Sequence, residues 1–256
     1  PVKHDLFTHF FRPLDPKAVD VLELQTSLRG ASILPSITNY DGGTMRGGEV
    51  LSVDYVKAPR FRPKRGFRAA DLLKTQKGFS PYDPRLNPVE RAIADDMDAH
   101  RDDIDRMVEI MCAQAAVDGR IDLYDMIEGQ VVKTYTVDFK RPASHTVILT
   151  GDALWSNTKA DLIGMVEDWN LLIQEDTSGL SATDLLLGKN AWTAFRRHPD
   201  VRDTLDNRRI DVGGLSPRVG AKLKGVWNGL NIWTHNATYR DLEGNTKYYL
   251  EPDYAL

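Results

Sequence analysis

The chain has 256 residues, 41% of them hydrophobic, a formal net charge of −4 and one cysteine, which is enough to bury a core as one large domain or two modest ones. The lone Cys112 excludes an internal disulfide framework and fits a reducing compartment. No apolar run approaches the ~20 residues of a bilayer span, Pro1 to Asp5 lacks the apolar stretch of a signal peptide, and the net acidity argues against general adhesion to nucleic acid.

Residues 1–20 carry Phe7, Phe10, Phe11 and three prolines with little periodicity, which predicts an arm lying on another surface. Ser32 to Ile37 reads as a short extended segment, and Gly42, Gly43, Gly47 and Gly48 crowd the next bend. Glu49 to Val56 alternates as a strand does. The segment from Met45 to Gly78 holds nine Lys/Arg against three acids, and its prolines and glycines predict a long excursion with at most a short helix near residues 69–74.

From Pro88 to Asp118 the charge inverts to nine acids against three arginines. Ile93, Met97, His100, Ile104, Met107, Val108, Met111 and Ala115 fall on one side of a helix at 100° per residue, with Asp95, Asp98, Asp102, Asp105 and Glu109 opposite. Asn87 is placed as N-cap, Pro88 as first helical residue and Gly119 as stop, giving a rod about 45 Å long. A one-sided acidic rod suits a repeating assembly, as a rail for a neighbour's basic loop.

Val131 to Phe139 and Thr146 to Thr150 read as strands. A second helix is predicted within Leu154 to Gln174, with Leu162, Ile163, Val166, Trp169 and Ile173 inward. Asp184 to Leu187 reads as a buried strand and Ala191 to Arg197 as a helix closed by Pro199. Gly/Pro turns and strands follow over residues 212–256, including Leu230 to Thr234 and Lys247 to Leu250.

Catalytic chemistry finds little support, so no catalytic residue, metal ligand or cofactor is assigned. Asp176-Thr177-Ser178-Gly179 approximates an aspartic-protease turn with one residue too many and no second copy. The six histidines lack zinc-motif spacing; His198 reads as a helix-end cap and His100 as a core or interface residue. The glycines at 42–48 lack the Gly-Lys-Ser/Thr ending of a phosphate loop, and Cys112 reads as a passive thiol beside the helix stripe. The basic segment 57–77, with Phe61 and Phe67 between arginines, is also compatible with a nucleic-acid-binding module.

Taken in order, several stretches resemble the major capsid protein E family of lambda-like tailed bacteriophages. They are Asp5-Leu6-Phe7-Thr8-His9-Phe10-Phe11, Lys57-Ala58-Pro59-Arg60, the helix from Arg91 to Asp118 with Gly119-Arg120, Val137-Asp138-Phe139, Leu187-Gly188-Lys189-Asn190-Ala191-Trp192-Thr193-Ala194-Phe195 and Leu205-Asp206-Asn207-Arg208-Arg209. The resemblance implies the α+β, HK97-like fold of tailed-phage major capsid proteins. Residues 1–36 would be an N-terminal arm, 37–87 an extended loop with its base strands, and 88–151 a peripheral domain with a long spine helix. Residues 152–245 would form an axial domain, incomplete here, and 246–256 would return towards the peripheral domain, with family members continuing past Leu256.

The implied function is self-assembly into hexamers and pentamers of an icosahedral head around double-stranded DNA, without enzymatic activity. The implied partners are the protein itself, a decoration or cement protein, portal and scaffold, and packaged DNA held non-specifically, with no membrane; the place is the virion, after synthesis in the host cytoplasm. Inter-subunit contacts are expected at Phe7, Phe10, Phe11, Arg60, Arg62, Lys64, Arg65, Asp98, Asp102 and Asp105. Some members of the wider fold crosslink a loop lysine to a neighbour's asparagine; Lys57, Lys64, Lys74 and Lys77 form no distinguished pair, and non-covalent assembly is expected.

Overall fold

A computed structural model of the chain describes residues 6–11, 21–28, 50–57, 59–64, 66, 88–177, 179–206, 213–215 and 222–256. The expectations for residues 32–37, 42–48 and 69–74, and the cap at Asn87, lie outside the described residues.

The elements in order are α1 (Phe7–Phe10), β1 (Val21–Leu28), β2 (Val50–Lys57), α2 (Pro88–Asp118), β3 (Arg120–Ile127), β4 (Gln130–Asp138), α3 (Leu162–Thr177), β5 (Asp184–Leu187), α4 (Lys189–Arg197), α5 (Pro199–Asp206), β6 (Gly213–Leu215), β7 (Leu223–Trp227), β8 (Leu230–Thr234), β9 (Thr238–Arg240) and β10 (Thr246–Tyr248). β1 pairs antiparallel with β2 over eight residues, from Val21 opposite Lys57 to Leu28 opposite Val50. The strand at 21–28 was not foreseen, and it joins a segment expected within the arm to one expected in the loop.

α2 spans the predicted bounds. It stops where Gly119 takes φ +67, a left-handed conformation that costs glycine little. β3 and β4 then form a hairpin closed by Glu128 and Gly129 at φ 51 and 80, the type I′ geometry that matches strand twist. The ribbon runs along α2, with Leu123 buried. The strand expected at Thr146 to Thr150 does not form. That stretch pairs with no strand among the described residues and leaves Ile148 83% exposed. Its β-branched residues supply propensity, but propensity without a neighbouring edge does not make a strand. The second helix begins later than expected, at Leu162, after short turns over residues 151–160.

A four-stranded sheet in the order β5-β8-β7-β6 forms the centre, with β5 parallel to β8 and the other pairs antiparallel. The alternating side chains of β5 feed both faces. Leu185 and Leu187 join Trp155, Leu162, Val166, Phe195, Trp227 and Ile232 under α3, α4 and α5, whereas Leu186 points to the other side. There it meets Leu6, Phe7, Ala113, Tyr249 and Leu250, so that α1 and the C-terminal end of α2 cover the second face. The segment after β10 returns to the sheet. Leu256 N–H donates to Leu186 O at 2.8 Å, Gly188 N–H to Tyr254 O at 2.9 Å, and Leu187 bridges Ala255 antiparallel, which occupies the free edge of β5.

Candidate interaction surfaces

The N-terminal cluster divides sharply. Phe7 is wholly buried in this chain's own core, so it has no area to offer a neighbour. Phe10 and Phe11 keep 39% and 42% of their surface exposed, with the Phe10 ring 5.8 Å from Trp233. What seats the segment is Glu109, which is 1% exposed. Its Oε1 accepts from Phe7 N–H at 2.7 Å, and its Oε2 accepts from Thr8 N–H at 2.9 Å and Thr8 Oγ1 at 2.7 Å. Periodicity had placed Glu109 on the outer acidic side, and the structure corrects this. Glu109, Ala113 and Ala116 continue the line of Asp98, Asp102 and Asp105 by steps of three, four and seven, and towards its C-terminal end that line turns into the core.

The opposite side of α2, expected to be apolar, is largely uncovered. Met97 is 67% exposed, and Ile93, Ile104 and Val108 are exposed too. On this side Asp96 is nearly buried, 3.6 Å from His100. Residues 59–63 run beside it, and together with Asp103, Ile104 and Met107 of α2 and Leu123, Tyr124 and Tyr135 of the ribbon they enclose a groove of about 820 Å³. Arg60, Arg62 and Lys64 are exposed, and Arg60 and Arg62 line this groove. Arg65 lies outside the described residues. Asp98, Asp102 and Asp105 are also exposed, but they face the other way. The structure thus brings Arg60 and Arg62 to α2 within one chain, on the side opposite the acidic row.

Three other placements matter. Arg141, which sequence reading passed over, donates from Nη1 to the carbonyls of Ala116 and Val117 at 3.2 and 2.8 Å, and from Nη2 to Thr146 Oγ1 at 3.0 Å. It thereby satisfies carbonyls that the last turn of α2 leaves unpaired. Asp184 accepts from Thr183 Oγ1, Trp233 Nε1 and Asn231 Nδ2 at 2.6, 2.7 and 3.1 Å. Burial opposes its ionisation, but these donors outweigh burial and hold its carboxyl below the usual carboxylate range. At Gly188, the carbonyls of Glu251 and Pro252 pass so close that a Cβ would lie 2.3 and 2.5 Å from their oxygens. Pro252 O accepts from the N–H groups of Asn190 and Ala191 at 2.8 and 3.1 Å, and Asn190 Nδ2 donates to Asp253 at 2.9 Å. This crossing caps α4 and gives a physical reason for Gly188 and Asn190.

The residues weighed for chemistry take structural places. His198 caps α5, with Asp200 N–H donating to its Nδ1 at 3.3 Å, and Asp176 pairs with His145. Cys112 is half-buried, and burial together with Glu109 pushes its thiol up. Among the described residues no group of three or more His, Cys, Asp or Glu could hold a metal ion, and no described helix is long and apolar enough to cross a membrane.

Comparison with known proteins adds the following. The family described as Phage major capsid protein E matches residues 1–256. Among solved structures, a protein assigned as a prophage capsid protein of Escherichia coli CFT073 is 18% identical, with a TM-score of 0.46 over 92% of this chain and 57% of that one. A phage-related protein of Bordetella bronchiseptica RB50 is also 18% identical, with a TM-score of 0.38 over 60% of this chain and 43% of that one. The chain therefore spans less than two thirds of the length of either. No curated protein gave a significant match.

Proposed function

Because the chain belongs to the phage major capsid protein E family, we propose that it is a shell subunit, assembling with copies of itself into hexamers and pentamers of an icosahedral head around double-stranded DNA. The mixed α+β fold suits that family. In the HK97-like arrangement α2 is the spine helix, β1 and β2 are the base of the extended loop, and the four-stranded sheet with α3 to α5 belongs to the axial domain. The role is structural, without catalysis. A decoration or cement protein, portal and scaffold are the further partners of such a shell, the packaged DNA is held non-specifically, and the virion is its place.

One observation carries the reading at residue level. Asp98, Asp102 and Asp105 are exposed on the side of α2 turned away from this chain's own Arg60 and Arg62. An acidic row turned away from its own chain's basic loop is open to basic groups of another chain. Each such exposed pair contributes only about 0.2–1 kcal/mol, but repetition around a closed shell multiplies small contacts.

Negative-stain microscopy of the purified protein, with native mass spectrometry across a salt series, tests this. Uniform closed shells or flat hexameric arrays are the expected result. A salt-sensitive complex of single subunits with DNA, without self-association, would favour the nucleic-acid reading of residues 57–77 and overturn this one.

A further inference from the structure

Residues 6–11 are held at two unlike places. On one side the buried Glu109 carboxylate takes all three donors that Phe7 and Thr8 present to it. On the other, Leu6 and Phe7, 2% and 0% exposed, fill the space shared by Ala113 of α2, Leu186 of β5 and Tyr249 and Leu250 beyond β10. The Phe7 ring meets His235 edge-on at 5.5 Å, and the His9 ring lies 5.5 Å from Trp233 of β8. Among the described elements α2 packs closely on α1 and β3, and the sheet reaches α2 largely through this shared cluster.

We propose that residues 6–11 are a keystone that fixes the angle between α2 and the four-stranded sheet, with Glu109 as its fastener, and that displacing the segment lets helix and sheet rotate against each other while each stays folded. The backbone bonds of α2 and of the sheet are internal to each, so neither needs the segment in order to exist. Their mutual angle does need it, because Leu6 and Phe7, together with Tyr249 and Leu250, fill the volume between them. The fastening is two-state. A buried carboxylate is tolerated while its backbone donors stay in place and is strongly unfavourable once the segment withdraws them together, so the segment cannot slide out by degrees. Purely apolar packing would permit small slippage, and this contact does not. Glu109 is a positioning residue here, acting on helix and sheet through Phe7 and Thr8. The inference goes beyond shell assembly and concerns the isolated subunit.

The test places nitroxide labels at Ile93→Cys on α2 and Leu223→Cys on β7, both exposed, in a Cys112→Ser background, and reads their separation by double electron–electron resonance. One narrow distance distribution is expected. Glu109→Gln keeps the shape but loses the charge, and it should broaden or shift that distribution with circular dichroism unchanged. Amide exchange at Phe7 and Thr8 should rise at least tenfold, with residues 110–117 and β8 still protected. Phe7→Ala should do the same, and Thr8→Val, which removes one donor, should give a smaller change. A distribution that stays narrow and in place while the Phe7 and Thr8 amides exchange faster would overturn the proposal. So would simultaneous loss of protection in α2, the sheet and residues 6–11 in both Glu109→Gln and Thr8→Val.

Discussion

Replacing Gly188 by alanine separates two opposing effects at one atom. Gly188 sits at φ −67 and ψ 170, where alanine is unstrained. In open space the substitution would stabilise by about 0.4–1 kcal/mol through reduced freedom of the unfolded chain. Here the added carbon would lie 2.3 Å from Glu251 O and 2.5 Å from Pro252 O, against an ordinary contact of 3.4–4 Å, and both atoms are backbone. Residues 251–254 must move by roughly 1 Å or leave, and three hydrogen bonds depend on them: Gly188 N–H to Tyr254 O, and Asn190 and Ala191 N–H to Pro252 O. At about 1 kcal/mol net for each bond, the loss is about 3 kcal/mol, and the net destabilisation about 2 kcal/mol after the entropic gain. For a chain of this size that lowers Tm by about 4–8 °C. Thermal melts followed by tryptophan fluorescence would measure it, with hydrogen exchange at Asn190 and Ala191 locating it. A Tm equal to or above that of the unsubstituted protein would show that the crossing over Gly188 is not close-packed, and the reasoning would fail.

Charge reversal of Arg60, Arg62 and Lys64 should weaken self-association at unchanged circular dichroism, by several-fold to about a hundredfold per contact if three pairs are lost; added reversal of Asp98, Asp102 and Asp105 should restore part of it in native mass spectrometry, and no restoration would mean that the two rows meet other partners. Arg141→Met should lower stability by about 1.5–3 kcal/mol, since it strips charged donors from Ala116 O and Val117 O; an unchanged thermal midpoint would refute the capping role. The Asp184 carboxyl is held below its unfolded value, so the stability it adds is present above about pH 3.9 and is lost as pH falls through the lower folded value. Asp184→Asn should flatten that part of an acid-unfolding curve, and a curve of unchanged slope would count against the donor set around it.

The spine of the architecture was legible because several signals coincide at its ends. Pro88 opens α2 and Gly119 closes it, and the charge inversion marks the change of surface. The short run Asp184 to Leu187 read as buried because both faces of β5 are covered. Which side of α2 turns inward was not legible. A helical pattern shows that two sides differ, not what each one meets, and Glu109 counts as polar until its donors from residues 7 and 8 are seen. Thr146 to Thr150 misled for the complementary reason, since strand propensity is realised only beside a free edge. Asn228-Gly229 was an available signal left unused; with φ values of 49 and 81 it makes the tight turn between β7 and β8, and it could have placed both strands. Of the expected contacts, Phe7 proves internal, Phe10, Phe11, Arg60, Arg62, Lys64, Asp98, Asp102 and Asp105 are exposed, and Arg65 falls outside the described residues.

The apolar grip on α2 lies mainly over its last turns, where Ala113 and Ala116 meet the body of the chain beside Glu109; nearer the other end the polar Asp96 is covered but Met97 stands largely in solvent. Mechanically that is a beam clamped at its root. From residue 108 back to residue 88 it extends about 30 Å at 1.5 Å per residue, so a tilt of about 5° at the clamp carries the tip through roughly 2.6 Å. Side chains near Ile93 thus register, as a displacement comparable to a rotamer's reach, what happens around Glu109 as a change too slight to break a contact.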